Sequence, residues 1–373
     1  MLAQPPLWFI IIAFLCALGP LVVFHELGHY WVGRLFGVGA EKFSIGFGRE
    51  VVGWTDKRGT RWKVGWLPLG GYVQFVGDIN PVSQPGEADD VPAELRARSF
   101  HLKPWWQRLL IVLAGPAANF LMAIAIFAAF FLLVGVPSAS TKISKILPDG
   151  AASKSELRVG DVITSVAGNS VGSMNELRLV VMIRPNQRVP LAYVRDGRSH
   201  QAIITIGVSE RADEFGQKAK IGLLGIEAEA EPLPASQAIP EATRYTFAIT
   251  RSTMVVIGQI LTGERSVKEL GGPLKVAQVA GQQASLGPFE FIYLIAFLSI
   301  NLGFINLLPV PVLDGGHLVF YAAEAIRRKP VSEQAQEWAF RGGFALLMAW
   351  MLVITFNDLA SFGLFERLGR LIG

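Results

Sequence analysis

Charge, cysteine and internal repeats are all scarce in this chain. Asp, Glu, Lys and Arg make up 17% of its 373 residues, where a soluble chain carries about a quarter. The shortage is concentrated: Trp8–Phe24, Leu109–Pro137, Phe291–Leu313 and Gly342–Asn357 hold no charged residue at all. These runs are about as long as the roughly 17–25 apolar residues of a membrane-crossing helix, the last being the shortest. One such helix can hide in a soluble core, but four exclude a soluble fold. The sequence predicts a polytopic α-helical membrane protein with four transmembrane helices.

The one cysteine, Cys16, lies inside the first run, so no internal disulfide can form. Residues 1–7 contain no basic residue, and no small-x-small cleavage site precedes the histidines that close the run. The run therefore reads as a retained anchor and not as a removable signal. The net charge of +4 comes mostly from loops, which suits anionic lipid and gives no reason to invoke nucleic acid. Basic residues crowd the loop after the first run (Lys42, Arg49, Lys57, Arg58, Arg61, Lys63, Arg96, Arg98, Lys103) and the link before the last (Arg327, Arg328, Lys329, Arg341). Positive-inside bias then places both loops in the cytoplasm and the long segment 138–288 outside. The location expected is a bacterial cytoplasmic (inner) membrane.

Between the first two runs, Val52, Trp54, Trp62, Val64 and Trp66 share one parity around a DKRG turn. Period two broken by a Gly-containing turn predicts a β-hairpin, and its tryptophans suit the membrane interface. The reading set against this is a small soluble β-domain with an aromatic core. Residues 80–94, rich in Pro and acid, read as a loop. After the second run, ISKILPDGAASKSELRVGDVITSVAGNSV and RVPLAYVRDGRSHQAIITI give strand, short helix, turn, strand, helix and hairpin in one compact domain. This order resembles a circularly permuted bacterial PDZ domain, with IGLLGI (221–226) as the peptide-carboxylate loop. Such a domain takes an extended peptide as an added strand, so a peptide C-terminus is an expected partner. The organisation expected is a first helix in 1–36, a hairpin or re-entrant region and loop in 37–104, and a second helix in 105–137. A PDZ domain in 138–230 follows, then surface helices in 231–288, a third transmembrane segment in 289–327, and a fourth helix with a tail in 328–373.

The first run ends in HELGH, which sets His25, Glu26 and His29 at the edge of hydrocarbon. Ionisable groups there are costly and are functional suspects by default. On a helix, i and i+4 bring both imidazoles to one face, where they can share a cation. Glu26 can then reach a metal-held water without being a ligand. A catalytic zinc wants three protein ligands and one open position. His101 and His200 lie in polar contexts and read as surface histidines. The third run ends in NLGFINLLPVPVLDGGHL, where Pro309 and Pro311 break the helix just before Asp314. Broken backbone at membrane depth must line a cavity or be covered by protein. Asp314 is therefore the preferred third ligand, with His317 second and a plain helix-cap role for Asp314 as the bland alternative. Two histidines and one carboxylate would also suit iron or manganese.

HExxH, GPAANF (115–120), the single PDZ insertion, LGGP (270–273) and NLLPVPVLDGGH together resemble the site-2 proteases, zinc intramembrane proteases, and most closely their regulator-of-sigma-E protease branch. The resemblance spans nearly the whole chain. It implies one Zn2+ held by His25, His29 and Asp314, with Glu26 as general base and the active site toward the cytoplasm. It also implies that Asn306 holds substrate backbone or oxyanion and that the β element offers its edge to an unwound substrate. On that basis Pro309, Pro311, Gly46, Gly48, Gly70 and Gly71 are further substrate-binding candidates. The implied substrates are single-span membrane proteins already trimmed outside, such as anti-sigma factors, or remnant signal peptides. Well-known members of this branch carry tandem PDZ domains, whereas one copy is evident here.

Two other classes compete. A non-catalytic PDZ membrane adaptor would use a structural metal with four protein ligands, which here would have to recruit His317 or Glu26. A metal transporter would more often show several intramembrane acids and inverted repeats, and no internal repeat is evident.

Overall fold

The structure is a computed structural model that describes residues 5–78, 95–133, 141–148, 150–212, 218–228, 233–266 and 271–361. The expected loop at 80–94, Leu270 of the LGGP motif and the tail after 361 lie outside these residues. The chain forms two compact units, 1–123 with 272–373, and 124–271.

In the first unit, α1 (Leu7–Leu35) carries the first apolar run and continues through HELGH. Two strands follow, β1 (Ala40–Thr55) and β2 (Arg61–Phe75), around a turn in which Asp56 Oδ1 accepts from Arg58 and Thr60 N–H. The paired region, Ala40 to Phe75, extends well beyond the alternating residues Val52 to Trp66. Residues 52–55 pair with 61–64, while 42–45 pair both with 61–64 and with 71–74. The ribbon thus folds back on itself, turning at Gly46, Gly48 and Gly70, whose φ values of 85°, 85° and 91° are left-handed and favour glycine. Trp54 and Trp66 are exposed, whereas Trp62 stacks on Phe43 with ring centres 4.3 Å apart.

α2 (Trp105–Leu133) carries the second run, with Pro116 inside it. The later helices are α5 (Pro273–Leu286), α6 (Pro288–Asn306), α7 (Asp314–Arg327) and α8 (Glu333–Ser361), to be numbered after α3 and α4 of the second unit. The third apolar run is not one helix. α6 stops at Asn306, and the segment 307–313 with its two prolines leads into α7, because proline can neither donate to the helix ladder nor tolerate a helical residue before it. α5 begins at the GGP of the LGGP motif. Asp358 of α8 accepts from Gly272 N–H at 3.0 Å and Lys275 N–H at 3.1 Å, so it caps that helix from another element. Among the described residues four helices, α1, α2, α6 and α8, are long and apolar enough to cross a membrane.

The second unit begins with the last turns of α2. Its β-rich part comprises β3 (Ile143–Ile146), β4 (Val162–Val166), β5 (Asn169–Ser170), β6 (Arg188–Arg195), β7 (Arg198–Thr205), β8 (Gly207–Ala212), β9 (Lys218–Leu223) and β10 (Ile226–Ala228). Strand order is β5-β4-β6-β7 in one sheet, and β10-β3 and β8-β9 form separate antiparallel pairs. Of the expected loop at 221–226, residues 221–223 belong to β9 and 226 begins β10, so only 224–225 join the two strands, and the last strand returns to pair with the first. α3 (Met174–Met182) starts at Ser173, whose side chain accepts from Glu176 N–H, while Glu176 accepts from Gly172 N–H, a capping-box arrangement. Ile143, Ile163, Leu177, Leu191, Tyr193 and Ile206 fill its core. α4 (Ala235–Leu261) closes the unit.

Candidate metal centre

His25, Glu26 and His29 are all buried on α1, and that face is turned into the first unit. The helix can approach its neighbours there because two glycines make room. A Cβ on Gly28 would lie 2.3 Å from the Ala114 carbonyl oxygen, and one on Gly115 of α2 would lie 2.2 Å from His29 Nε2. Gly315 and Gly316, after Asp314, do the same for the segment 307–313. A Cβ on either would strike its backbone, at Leu308 O (2.1 Å) and at Pro311 Cα (2.5 Å). Asp314 is thereby held at the start of α7, turned toward α1.

Three ligand atoms converge. His25 Nε2 lies 3.2 Å from Asp314 Oδ2, His29 Nε2 3.5 Å from the same oxygen, and the two imidazole nitrogens lie 3.3 Å apart. A tetrahedral zinc with ligand distances of about 2.0–2.1 Å separates its ligand atoms by about 3.3–3.4 Å. The near-equilateral triangle therefore has the dimensions of one face of such a site. Among the described residues, Asp314 Oδ2 is buried and faces only the two imidazole nitrogens, with no hydrogen bond of its own. A buried carboxylate oxygen left unpaired is costly, and a cation held by the triangle would satisfy it. These residues fit a metal, and His317 is not part of the cluster.

The imidazoles are oriented from behind. His29 Nδ1 lies 2.9 Å from the Ile111 carbonyl oxygen, so it donates and leaves the Nε2 lone pair facing Asp314. His25 Nδ1 faces the fully buried amide of Asn119, 3.2 Å from Nδ2, while Asn119 Oδ1 has no partner among the described residues. The two ends of an amide have the same shape. Turned over, Oδ1 accepts from His25 Nδ1–H, the orphan is satisfied, and the Nε2 lone pair of His25 also points into the triangle. Ser299 of α6 donates to the Asn119 carbonyl at 2.8 Å, and Gly303 lets α6 lie against Pro116 and Asn119.

The triangle opens on a cavity of about 340 Å³ that is also lined by Glu26, Asn306, Gly70, Gly71, His317 and Tyr321. The Glu26 carboxylate accepts from Val73 N–H of β2, and a Cβ on Gly71 would lie 3.1 Å from Glu26 Cγ. Glu26, Asn306, Gly70 and Gly71 are thus brought to one cavity with the three ligands. Gly46, Gly48, Pro309 and Pro311 are not in its wall. Gly46 and Gly48 lie against Leu67 and Trp66 of the facing strand, and Pro311 lies under Gly316 and Gly343. His101 corrects an expectation as well: it is no surface residue but sits 2.7 Å from Asp78, itself fully shielded. His200 is exposed and stacks on Tyr193. Asn119 and Gly115 were missed as site residues, although an asparagine at membrane depth is as much a signal as a histidine.

The profile of peptidase family M50 matches residues 13–350. A relative in Agrobacterium fabrum, provisionally named a zinc metalloprotease, is 40% identical over 360 residues, covering 94% of this chain and 96% of that protein. The metalloprotease MmpA of Caulobacter vibrioides is 36% identical over 389 residues, covering 97% and 98%. A solved PDZ domain of an SdrC-like protein from Listeria monocytogenes is 23% identical, covering 24% of this chain and 92% of that one. Its TM-score of 0.18 is too low to carry an argument.

Proposed function

This chain belongs to peptidase family M50, and from that membership we propose that it is a zinc endopeptidase that cleaves single-span membrane proteins within the bilayer. The observation that carries the reading is the triangle of His25, His29 and Asp314 atoms beside Glu26 in one cavity. In this proposal His25, His29 and Asp314 hold one zinc ion. Zinc supplies a Lewis acid that polarises a carbonyl and brings water within reach of deprotonation near neutral pH.

Glu26 takes a proton from the attacking water and passes it to the leaving amine. Among the described residues it is the one carboxylate lining the cavity besides Asp314, and the Val73 backbone lies beside it. A transmembrane helix hides its scissile carbonyl in i→i+4 hydrogen bonds, so the substrate must first unwind. The lost bonds need replacement, which lipid cannot supply. Residues 71–74 of β2 pair on one side only among the described residues, and Gly70, Gly71, Tyr72 and Val73 line the cavity. An unwound substrate added to that edge would present its backbone to Glu26. Asn306 at the end of α6 borders the same space and is placed to bond substrate backbone. Gly46, Gly48, Pro309 and Pro311 act in this scheme by shaping the ribbon and the 307–313 segment, without touching substrate.

The host membrane proposed is the bacterial inner membrane. The loops of 37–104 and 328–332 are cytoplasmic there, and the β-rich unit is outside and acts as a PDZ domain that engages a peptide C-terminus. The return of β10 to pair with β3 after the short 224–225 link supports that assignment. Substrates would be anti-sigma-like proteins or remnant signal peptides already trimmed outside. The test is cleavage of a single-span substrate, intact or pre-trimmed, by the full chain in phosphatidylglycerol-containing vesicles. Glu26→Gln should retain zinc and fold while losing cleavage by at least about a thousandfold, consistent with the scale of proton-transfer and nucleophile activation. Undiminished cleavage by that variant would remove Glu26 from the mechanism.

A further inference from the structure

A second cavity, of about 310 Å³, lies in the β-rich unit between α3 and α4. Its apolar wall is formed by Leu179, Val180, Ile183 and Val255, and its polar groups include Arg184, Arg244 and Arg251. Glu176 also lines it, but that carboxylate is engaged: it accepts from Gly172 N–H at 2.7 Å and lies 3.9 Å from Arg244, whose other partner is Glu241 at 3.0 Å. Arg184 and Arg251 have no carboxylate partner among the described residues. Arg184 donates to the Val180 carbonyl at 2.7 Å. Burial, and then the neighbouring charge of Arg251, push the Arg184 guanidinium below its ordinary range. Two cations held together over an apolar floor fit an anion that carries an apolar body.

The position of α4 says which anion. Tyr245 on α4 rests on Phe127 and Phe131 of α2, with ring centres 4.9 and 6.2 Å away. Those phenylalanines lie in the last turns of a helix long and apolar enough to cross a membrane, so the middle of α4 is level with one end of a membrane span. Ile239, Phe247 and Met254 form an exposed apolar stripe along α4, eight and seven residues apart. Phe247 and Arg251 of this face also line the cavity. An amphipathic helix with arginine beside exposed phenylalanine belongs in the headgroup layer.

We infer that the cleft between α3 and α4 binds the phosphate headgroup of an anionic phospholipid, with Arg184 and Arg251 on the phosphate and Leu179, Ile183 and Val255 against the glycerol and first acyl carbons. The site is separate from the metal centre and does not depend on the proteolytic reading. It would tie the β-rich unit to the membrane surface through lipid charge.

The test is native mass spectrometry of the full chain in detergent, offered equal amounts of phosphatidylglycerol and phosphatidylcholine. At about 1 kcal/mol per basic residue near an anionic surface, two arginines correspond to roughly a thirtyfold preference for phosphatidylglycerol. The double variant Arg184→Gln/Arg251→Gln should lose most of it, and Arg178→Gln, exposed on α3 outside the cleft, should keep it. If the double variant fails to fold, Arg251→Gln alone should lower the preference about fivefold. An unchanged preference in the arginine variants overturns the inference. So does a wild-type chain without lipid preference whose cleft instead takes a peptide with a free carboxylate and loses it on arginine substitution.

Discussion

Each imidazole of the HELGH pair is held on its far nitrogen, His29 by the Ile111 carbonyl and His25 by Asn119. Groups that orient metal-ligating histidines typically matter 10–100-fold for affinity. Asn119→Ala should therefore weaken zinc binding by about that factor, read by competition with a chelating indicator, while the chain keeps its elution volume. His25, Glu26, His29 and Asp314 were legible in the sequence because each stands at the end of an apolar run, where a charge needs a reason. Asn119 was not singled out because it is neutral, and Gly115 because a residue without a side chain signals nothing until His29 is seen occupying its space. His101 was misread because a polar neighbourhood in sequence gives no hint of the shielded Asp78 beside it.

Helix α5 owes its start to an acid on another helix. Asp358 satisfies two of the N–H groups that α5 leaves open, and removing a capping side chain costs about 0.5–2 kcal/mol. Asp358→Ala should lower the melting midpoint of the detergent-solubilised chain by a few degrees. The β4–β6 pairing carries a second such device. Asp161 takes two hydrogen bonds from Arg195, both at 2.8 Å, and one from Arg158 N–H at 2.7 Å. Burial alone would raise its carboxyl, but the bonds from Arg195 and Arg158 outweigh it and the net shift is downward. A carboxyl lowered on folding contributes fully above its unfolded value near 3.9, and the contribution is lost as pH falls through the folded value. The excess amide-exchange protection of β4 in the wild type over Asp161→Asn, corrected for intrinsic rates, should be present at pH 6 and shrink toward pH 3. Elements were legible where a periodicity or a charge-free run marked them. The ribbon was underestimated because alternation is clean only next to its turn, while the fold-back depends on Gly46, Gly48 and Gly70. The break in the third run was legible because Pro309 and Pro311 cannot continue a helix, and α6 ends at Asn306 before them.

At the scale of the molecule, the scarcity of charge foretold four spans, and four helices of the required length and apolarity are found among the described residues. What composition could not foretell is how α1, α2, α6 and α7 meet, since their contacts depend on missing side chains at Gly28, Gly115, Gly303 and Gly315. That meeting brings a carboxylate 285 residues after His29 in sequence to 3.5 Å from it, and so turns a histidine pair into a three-ligand set. The most direct test is the zinc content of the purified full chain and of Asp314→Asn, measured by elemental analysis on samples with the same elution profile. One zinc per wild-type chain and less than about a tenth of that in the variant is the expected result. Full zinc occupancy in Asp314→Asn would show that the ion, if His25 and His29 hold one, is completed by some other residue.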